Sequence, residues 1–298
     1  MAGDPNDVIE SGGQTGPRRW VGIAVLAVLV AVPVISLLAG RDPGAPASPA
    51  QASTPGVVSA PVAAGTPTNV LYPRPRSKGD RETLDVVFPD GSKAQIGYPA
   101  ELGLAKLGVR PAQGGWLEGY FSLFRMLTVP PGGYAEIAQG RPMLRRLAGH
   151  GTLWQPTGPT EGQVMMFDFA PWYVTLRDQK DGMTYEQRLL WAENLRGRVT
   201  GDGYLVLEAT SPVRLAGPGQ LFRGALVGPQ LWFGGAGEAV LVIAPAPRCD
   251  IREISQVVPD PSGGFSSRRC ADGVYIEAAG ERAAVERMIA GVRVRLTS

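Results

Sequence analysis

The sequence is poor in the residues that usually carry chemistry. Its 298 residues include one histidine, His150, and two cysteines, Cys249 and Cys270. One histidine excludes a His-rich metal site, and two cysteines exclude a closed four-cysteine zinc cage, so no metal and no cofactor is expected. Charge of one sign is also lacking. The 29 basic and 27 acidic side chains leave a net charge of +2, which predicts no overall basic footprint for nucleic acid. Lysine is scarce: 4 of the 29 basic residues are lysine and 25 are arginine. With the abundant Ala, Gly, Pro and Val, this resembles the composition of a high-GC bacterium such as an actinobacterium. No G-x-S-x-G elbow, S-x-x-K, H-E-x-x-H or phosphate-binding G-x-x-x-x-G-K-[ST] loop occurs. The run Gly234-Gly235-Ala236-Gly237 lacks the strand-then-helix setting of a dinucleotide site.

One long uncharged run is present. Val21 to Ala39 holds 19 residues without a charge, enough to cross the hydrocarbon core as a helix. Trp20 stands at one end as an interfacial anchor, and Arg18 and Arg19 precede it, which favours the amino end inside. Pro33 is better tolerated in a membrane helix than in a soluble one. The leading expectation is a retained signal anchor over residues 20–40 behind a cytoplasmic disordered tail, 1–19. A cleaved secretory signal has the same basic-then-apolar pattern. Leu37-Leu38-Ala39-Gly40 resembles a lipobox, but Arg41 stands where the lipidated cysteine belongs. The Arg18-Arg19 pair resembles a twin-arginine signal. A buried soluble helix would show a polar face, and this segment has none.

Residues 41–79 contain eight prolines and seven alanines and almost no aromatic residue. Such a stretch gains too little from burial to offset chain entropy, so a semi-extended disordered linker is expected. Thr54-Pro55 and Thr66-Pro67 have the composition of O-linked sugar acceptors.

From residue 80 to 298 the texture is globular. Thr83–Phe88 and Ser92–Tyr98 flank Pro89-Asp90-Gly91 and read as a β-hairpin. Pro99–Leu107 reads as a helix stopped by Gly108. Trp116–Val129 is a long strand or a helix. Tyr134–Leu147 reads as one or two short helices, and Gln163–Leu176 as a central strand broken or bulged at Pro171. Thr184 and Gln187 form a capping-box signature for a helix with an apolar stripe of Leu189, Leu190 and Leu195, ended by Gly197. Tyr204–Glu208 and Glu238–Ile243 read as strands. Ala283–Ala290 reads as a helix with Val285, Met288 and Ile289 on one face, followed by a strand at Val292–Leu296. The fold class expected is α+β, a mostly antiparallel sheet with a few short helices, in one body or in two lobes split near 180–200. Beyond a membrane, Cys249 and Cys270 should pair; closing the loop between them would contribute about 3 kcal/mol on the chain-entropy model.

Few residues stand out as chemical candidates. Asp168 interrupts the apolar stretch Met165–Phe169, a costly place for a carboxylate unless it is paired, exposed or a raised-pKa acid. His150 lies between two glycines, where a turn residue is the plain reading and a general base the sharper one. Glu186, Glu193 and Glu208 are possible second carboxylates for glycoside chemistry, with no spacing to fix their separation. Trp116, Tyr120, Trp172, Tyr173 and Trp232, with Phe121 and Phe124, are candidates for an aromatic ligand groove or for core. The Pro89-Asp90-Gly91…Tyr98-Pro99 and Ala170-Pro171-Trp172 fragments and the paired cysteines resemble single-pass membrane-anchored proteins of actinobacteria. That resemblance implies an envelope location and carries no activity over. The expectation is a membrane-anchored extracytoplasmic binding or scaffold protein whose partner is another envelope protein or a cell-wall component. A cell-wall enzyme using carboxylate chemistry and a ligand sensor working through a membrane partner are the alternatives.

Overall fold

The Pro89-Asp90-Gly91 turn forms as its sequence dictates. Gly91 takes a positive φ of 86°, and the Asp90 carboxylate accepts from the Ser92 amide and hydroxyl. The turn joins two strands in register, Leu84 opposite Ile96 and Val86 opposite Ala94, with alternate side chains buried. The computed structural model describes residues 69–119, 122–156, 158, 162–178, 182–235, 239–258 and 264–297. The tail 1–19, the apolar run 20–40 and the linker as far as residue 68 lie outside the described residues. Among the described residues, no helix is long and apolar enough to cross a membrane.

The strands run in chain order as β1 (Arg76–Lys78), β2 (Arg81–Val87), β3 (Lys93–Pro99), β4 (Val109–Leu117), β5 (Leu123–Thr128), β6 (Met143–Arg146), β7 (Gly151–Trp154), β8 (Val164–Phe169), β9 (Trp172–Arg177), β10 (Leu195–Val199), β11 (Leu205–Ala209), β12 (Val213–Leu215), β13 (Leu221–Phe222), β14 (Ala225–Leu226), β15 (Gln230–Gly234), β16 (Val240–Pro245), β17 (Phe265–Ala271), β18 (Val274–Gly280) and β19 (Arg293–Thr297). The helices are α1 (Leu104–Leu107), α2 (Gly133–Ala138), α3 (Tyr185–Asn194) and α4 (Arg282–Gly291). Mostly antiparallel sheet with a few short helices is therefore the observed class.

One long sheet has the order β17-β18-β16-β15-β4-β5-β9-β8-β7-β6, with β12 also paired to β4. β4 is its hinge. Val109–Ala112 pair with β15, Ala112–Leu117 with β5, and Gly115–Leu117 with β12. A four-stranded sheet, β1-β2-β3-β19, buries Leu84, Ile96 and Tyr98 against Phe233, Ile243 and Ile276 of one half, and Val285 and Met288 of α4 close that core. Over the other half, α3 and the β10–β11 hairpin bury Trp191, Leu205 and Leu207 against Met165, Phe167 and Leu176. The two cores share β4, through Val109 in one and Leu117 in the other. The described residues fall in one compact unit.

Several local expectations change. Pro99–Leu107 is not one helix: a 3-10 turn, Ala100–Leu102, is separated from α1 by Gly103 in the left-handed region. Trp116–Val129 and Gln163–Leu176 each fold back on themselves as hairpins, β4–β5 and β8–β9. The second turns at a cis Ala170–Pro171 peptide. Tyr134–Leu147 holds one helix, α2, followed by strand β6. The Thr184/Gln187 capping box is present. The buried residues of α3 are Trp191 and Ala192; of the expected leucines, Leu190 packs partly buried on the same core and Leu195, just after the helix, is buried in it, and Gly197 lies inside β10.

Residues 69–79, expected at the end of the linker, belong to the fold. The buried Asn69 amide donates to Pro130 and Tyr173 carbonyls at 2.9 and 2.7 Å, and its oxygen accepts from the Tyr173 amide at 2.9 Å. Leu71 forms a bridge with Val109, and β1 completes the small sheet.

Candidate functional site

The two acid–base candidates meet through the backbone. The Asp168 amide donates to the His150 carbonyl at 3.1 Å. The Asp168 carboxylate accepts from the Ala170 amide at 3.1 Å, closing the β8–β9 turn. His150 is exposed in the β6–β7 turn, its ring edge-on to Phe169 at 6.0 Å. Glu208 faces Arg198 at 3.8 Å on the exposed side of the β10–β11 hairpin. Glu186 sits in the first turn of α3, where its own amide and the Thr184 side chain hold its carboxyl below the usual range. Glu193 is exposed later on α3.

The aromatic candidates do not converge. Trp116 is buried beside Phe124 and Phe222, at 5.2 and 6.4 Å, under the Arg214 guanidinium at 4.5 Å. Trp172 is buried in the second core and donates to the Gly203 carbonyl at 2.9 Å. Tyr173 packs on Tyr134 at 6.1 Å; burial, with Asp168 and Tyr134 nearby, pushes its hydroxyl pKa up. Trp232 is half-buried on the long sheet and donates to Gln230. These four sit in separate clusters, so they form no single groove; Tyr120 and Phe121 lie outside the described residues.

Two carboxylates with no exposed surface bind the fold together, and the sequence reading passed over both. Asp178 accepts from Arg125 Nε and Nη2 at 3.1 and 2.6 Å, from Arg188 at 3.0 Å and from the Met183 amide at 2.7 Å. Burial opposes its charge, and these donors together outweigh it and hold its pKa down. Glu277 accepts from the Val257 and Val258 amides and from the Tyr275 hydroxyl, at 2.9, 3.3 and 2.6 Å. Burial, then Glu277, pushes the Tyr275 hydroxyl well above its usual range. Close to this carboxylate, Cys249 and Cys270 form the expected disulfide. The segment after Cys249 is thus held at both ends, by sulfur and by Glu277.

The most distinctive surface is the outer face of the four-stranded sheet. Period-two alternation turns Leu84, Val86, Ala94, Ile96 and Val294 inward. The opposite positions carry Arg76, Lys78, Arg81, Lys93, Arg293 and Arg295, all exposed, against one carboxylate, Asp85. Register builds cross-strand rows: Arg76, Thr83, Gly97 and Arg293 form one, and Asp85, Gln95 and Arg295 the next. A polar ladder crosses the sheet there. Arg76 is paired with Asp85, Gln95 donates to Asp85 at 3.3 Å, and Arg295 donates to Gln95 at 3.1 Å. Arg81 and Arg293 also reach carbonyls at the carboxyl end of α4, where the helix dipole favours cations. A cleft lies at each margin. One, of about 560 Å³, is lined by Tyr72, Arg74, Arg76, Asp85, Asp202 and Tyr204. The other, of about 500 Å³, is lined by Gln95, Asp272, Arg293, Arg295 and Leu296.

Net charge concealed this face, because it averages over the whole chain. The detectable signal was local: Arg76/Lys78 and Arg293/Arg295 recur at strand spacing. Among the described residues, no group of three or more His, Cys, Asp or Glu side chains is placed to hold a metal. Comparison with protein families, with curated proteins and with solved structures gives no match to this chain.

Proposed function

We propose that this chain is a single-pass membrane-anchored extracytoplasmic protein of the bacterial cell envelope, which works by binding or scaffolding rather than by catalysis. The observation that carries the reading is the Cys249–Cys270 disulfide, which uses both cysteines of the chain. Disulfides persist in oxidising compartments, and a cytoplasmic setting would keep these thiols reduced. The uncharged run Val21–Ala39, flanked on its amino side by Arg18 and Arg19, supplies a route to that compartment. One candidate carboxylate and the two fully buried ones support the binding side of the reading, because these three are engaged structurally. Asp168 closes a turn, Asp178 holds two arginines, and Glu277 holds a loop. The folded part then offers surface rather than a reaction centre, and its outer sheet face is a basic one.

Protease added to intact cells tests the location. The proposal expects digestion of the region carrying Cys249 and Cys270 in intact cells and its protection in inverted vesicles. The reverse pattern overturns it.

A further inference from the structure

We propose that the outer face of the β1-β2-β3-β19 sheet docks on an anionic phospholipid surface, that of the membrane to which the chain is tethered. The inference rests on the anchored reading above for its geometry, and on the face itself for its chemistry. Four strands at about 4.8 Å spacing and four side-chain rows make a patch about 15 Å wide and about 20 Å long. Six cations lie on the outer side of its strands with one carboxylate, Asp85, which Arg76 pairs, while Asp202 and Asp272 line the clefts at its margins. A whole-chain charge of +2 therefore hides a strongly basic plane, which complements a sheet of phosphodiester headgroups. A two-dimensional array fits a surface better than a thread-like polymer, which would follow a single groove.

An apolar ring stands at one margin, and at the other Leu296 lies on the opposite side of β19 from Arg293 and Arg295. Tyr72 is 56% exposed beside the first cleft, and Leu296 is 38% exposed in the lining of the second. An exposed tyrosine at the rim of a basic face is the arrangement that sits well at a headgroup boundary. The length of chain before the face lets it reach the membrane. The described chain begins at Asn69, seven residues before Arg76. Residues 40–68 separate the apolar run from it, 29 residues that span at most about 100 Å.

Hydrogen exchange of the full-length chain in lipid nanodiscs tests the proposal. On discs with about 30% phosphatidylglycerol, exchange of the β1 and β19 amides should slow on the order of tenfold relative to phosphatidylcholine discs. About 0.5 M NaCl should reverse the effect, because the screening length falls to roughly 4 Å. Lys78→Glu with Lys93→Glu should abolish the protection, and Lys78→Gln with Lys93→Gln should weaken it, with unchanged thermal melting confirming that both variants fold. Equal exchange on the two kinds of disc, or protection that survives charge reversal, overturns the proposal. Inorganic polyphosphate added over phosphatidylcholine discs, if it reproduces the protection, reassigns the face to a soluble polyanion and also overturns it. Alkaline carbonate extraction of the chain from vesicles reports the anchor separately. Extraction refutes the anchored reading, whereas resistance without lipid-dependent protection refutes only the docking face.

Discussion

Asp178 shows how one buried residue sets local stability and its response to acid. Its side chain is fully buried between Arg125 and Arg188, themselves nearly buried. Removing the carboxylate leaves two cations in a medium that cannot hydrate them. Asp178→Ala should destabilise the protein by about 3–5 kcal/mol in urea unfolding at neutral pH. The folded-state pKa is lowered, so the carboxylate's contribution is complete above the unfolded value near 3.9 and is lost as pH falls through the folded value. The stability gap between the wild type and Asp178→Asn should narrow below about pH 4; a gap constant to pH 2 would contradict the assignment. Nothing near Asp178 in the sequence marks it, because its partners lie 53 and 10 residues away. Asp168, the carboxylate that the apolar context did mark, closes a turn instead.

At the scale of elements, glycine was read by its commonest use and found in another. Gly197 follows a helix and was expected to cap it. The chain instead passes from α3 directly into extended backbone at Leu195, and Gly197 faces Phe169. A Cβ there would lie 2.3 to 2.8 Å from the ring. Gly197→Ala should therefore force Phe169 or β10 to shift and cost about 1–3 kcal/mol; a melting temperature equal to the wild type's would show that the ring moves freely. Gly115 has the same purpose in β4, where the Trp191 ring approaches within 2.9 Å of the position a Cβ would take. The hairpin at Pro89-Asp90-Gly91, the Thr184 capping box and helix α4 were legible because their signals are local. The β4–β5 and β8–β9 hairpins were not, because a long apolar run reads as one buried element until its partners are known.

The described region is closed by its two ends. β19 pairs with β3, and Val292 and Val294 complete the first core. At the first described residue, Asn69 clamps the chain to Pro130 and Tyr173. Deleting residues 292–298 uncovers the β3 edge and opens the core that Leu84, Ile96 and Met288 share. Such a chain should lose cooperative unfolding and accumulate as aggregate, since an uncovered apolar edge strand is a pairing site. A truncated chain with an intact sharp thermal transition would show that β19 is dispensable. The same closure places Arg293 and Arg295 beside Gly97 and Gln95, roughly 200 residues earlier in the chain, and so assembles the basic face.

The order of residues alone determined the antiparallel α+β class, the cysteine pairing and the long uncharged run, because each depends on composition or on spacings within one segment. Only the tertiary structure decided which charges share a surface and which are buried. Alternation tells each strand which side chains go inward. Neighbours in the sheet are chosen by long-range packing, and it is that choice which gathers scattered arginines into one plane and hides Asp178 and Glu277 where their charge must be bound.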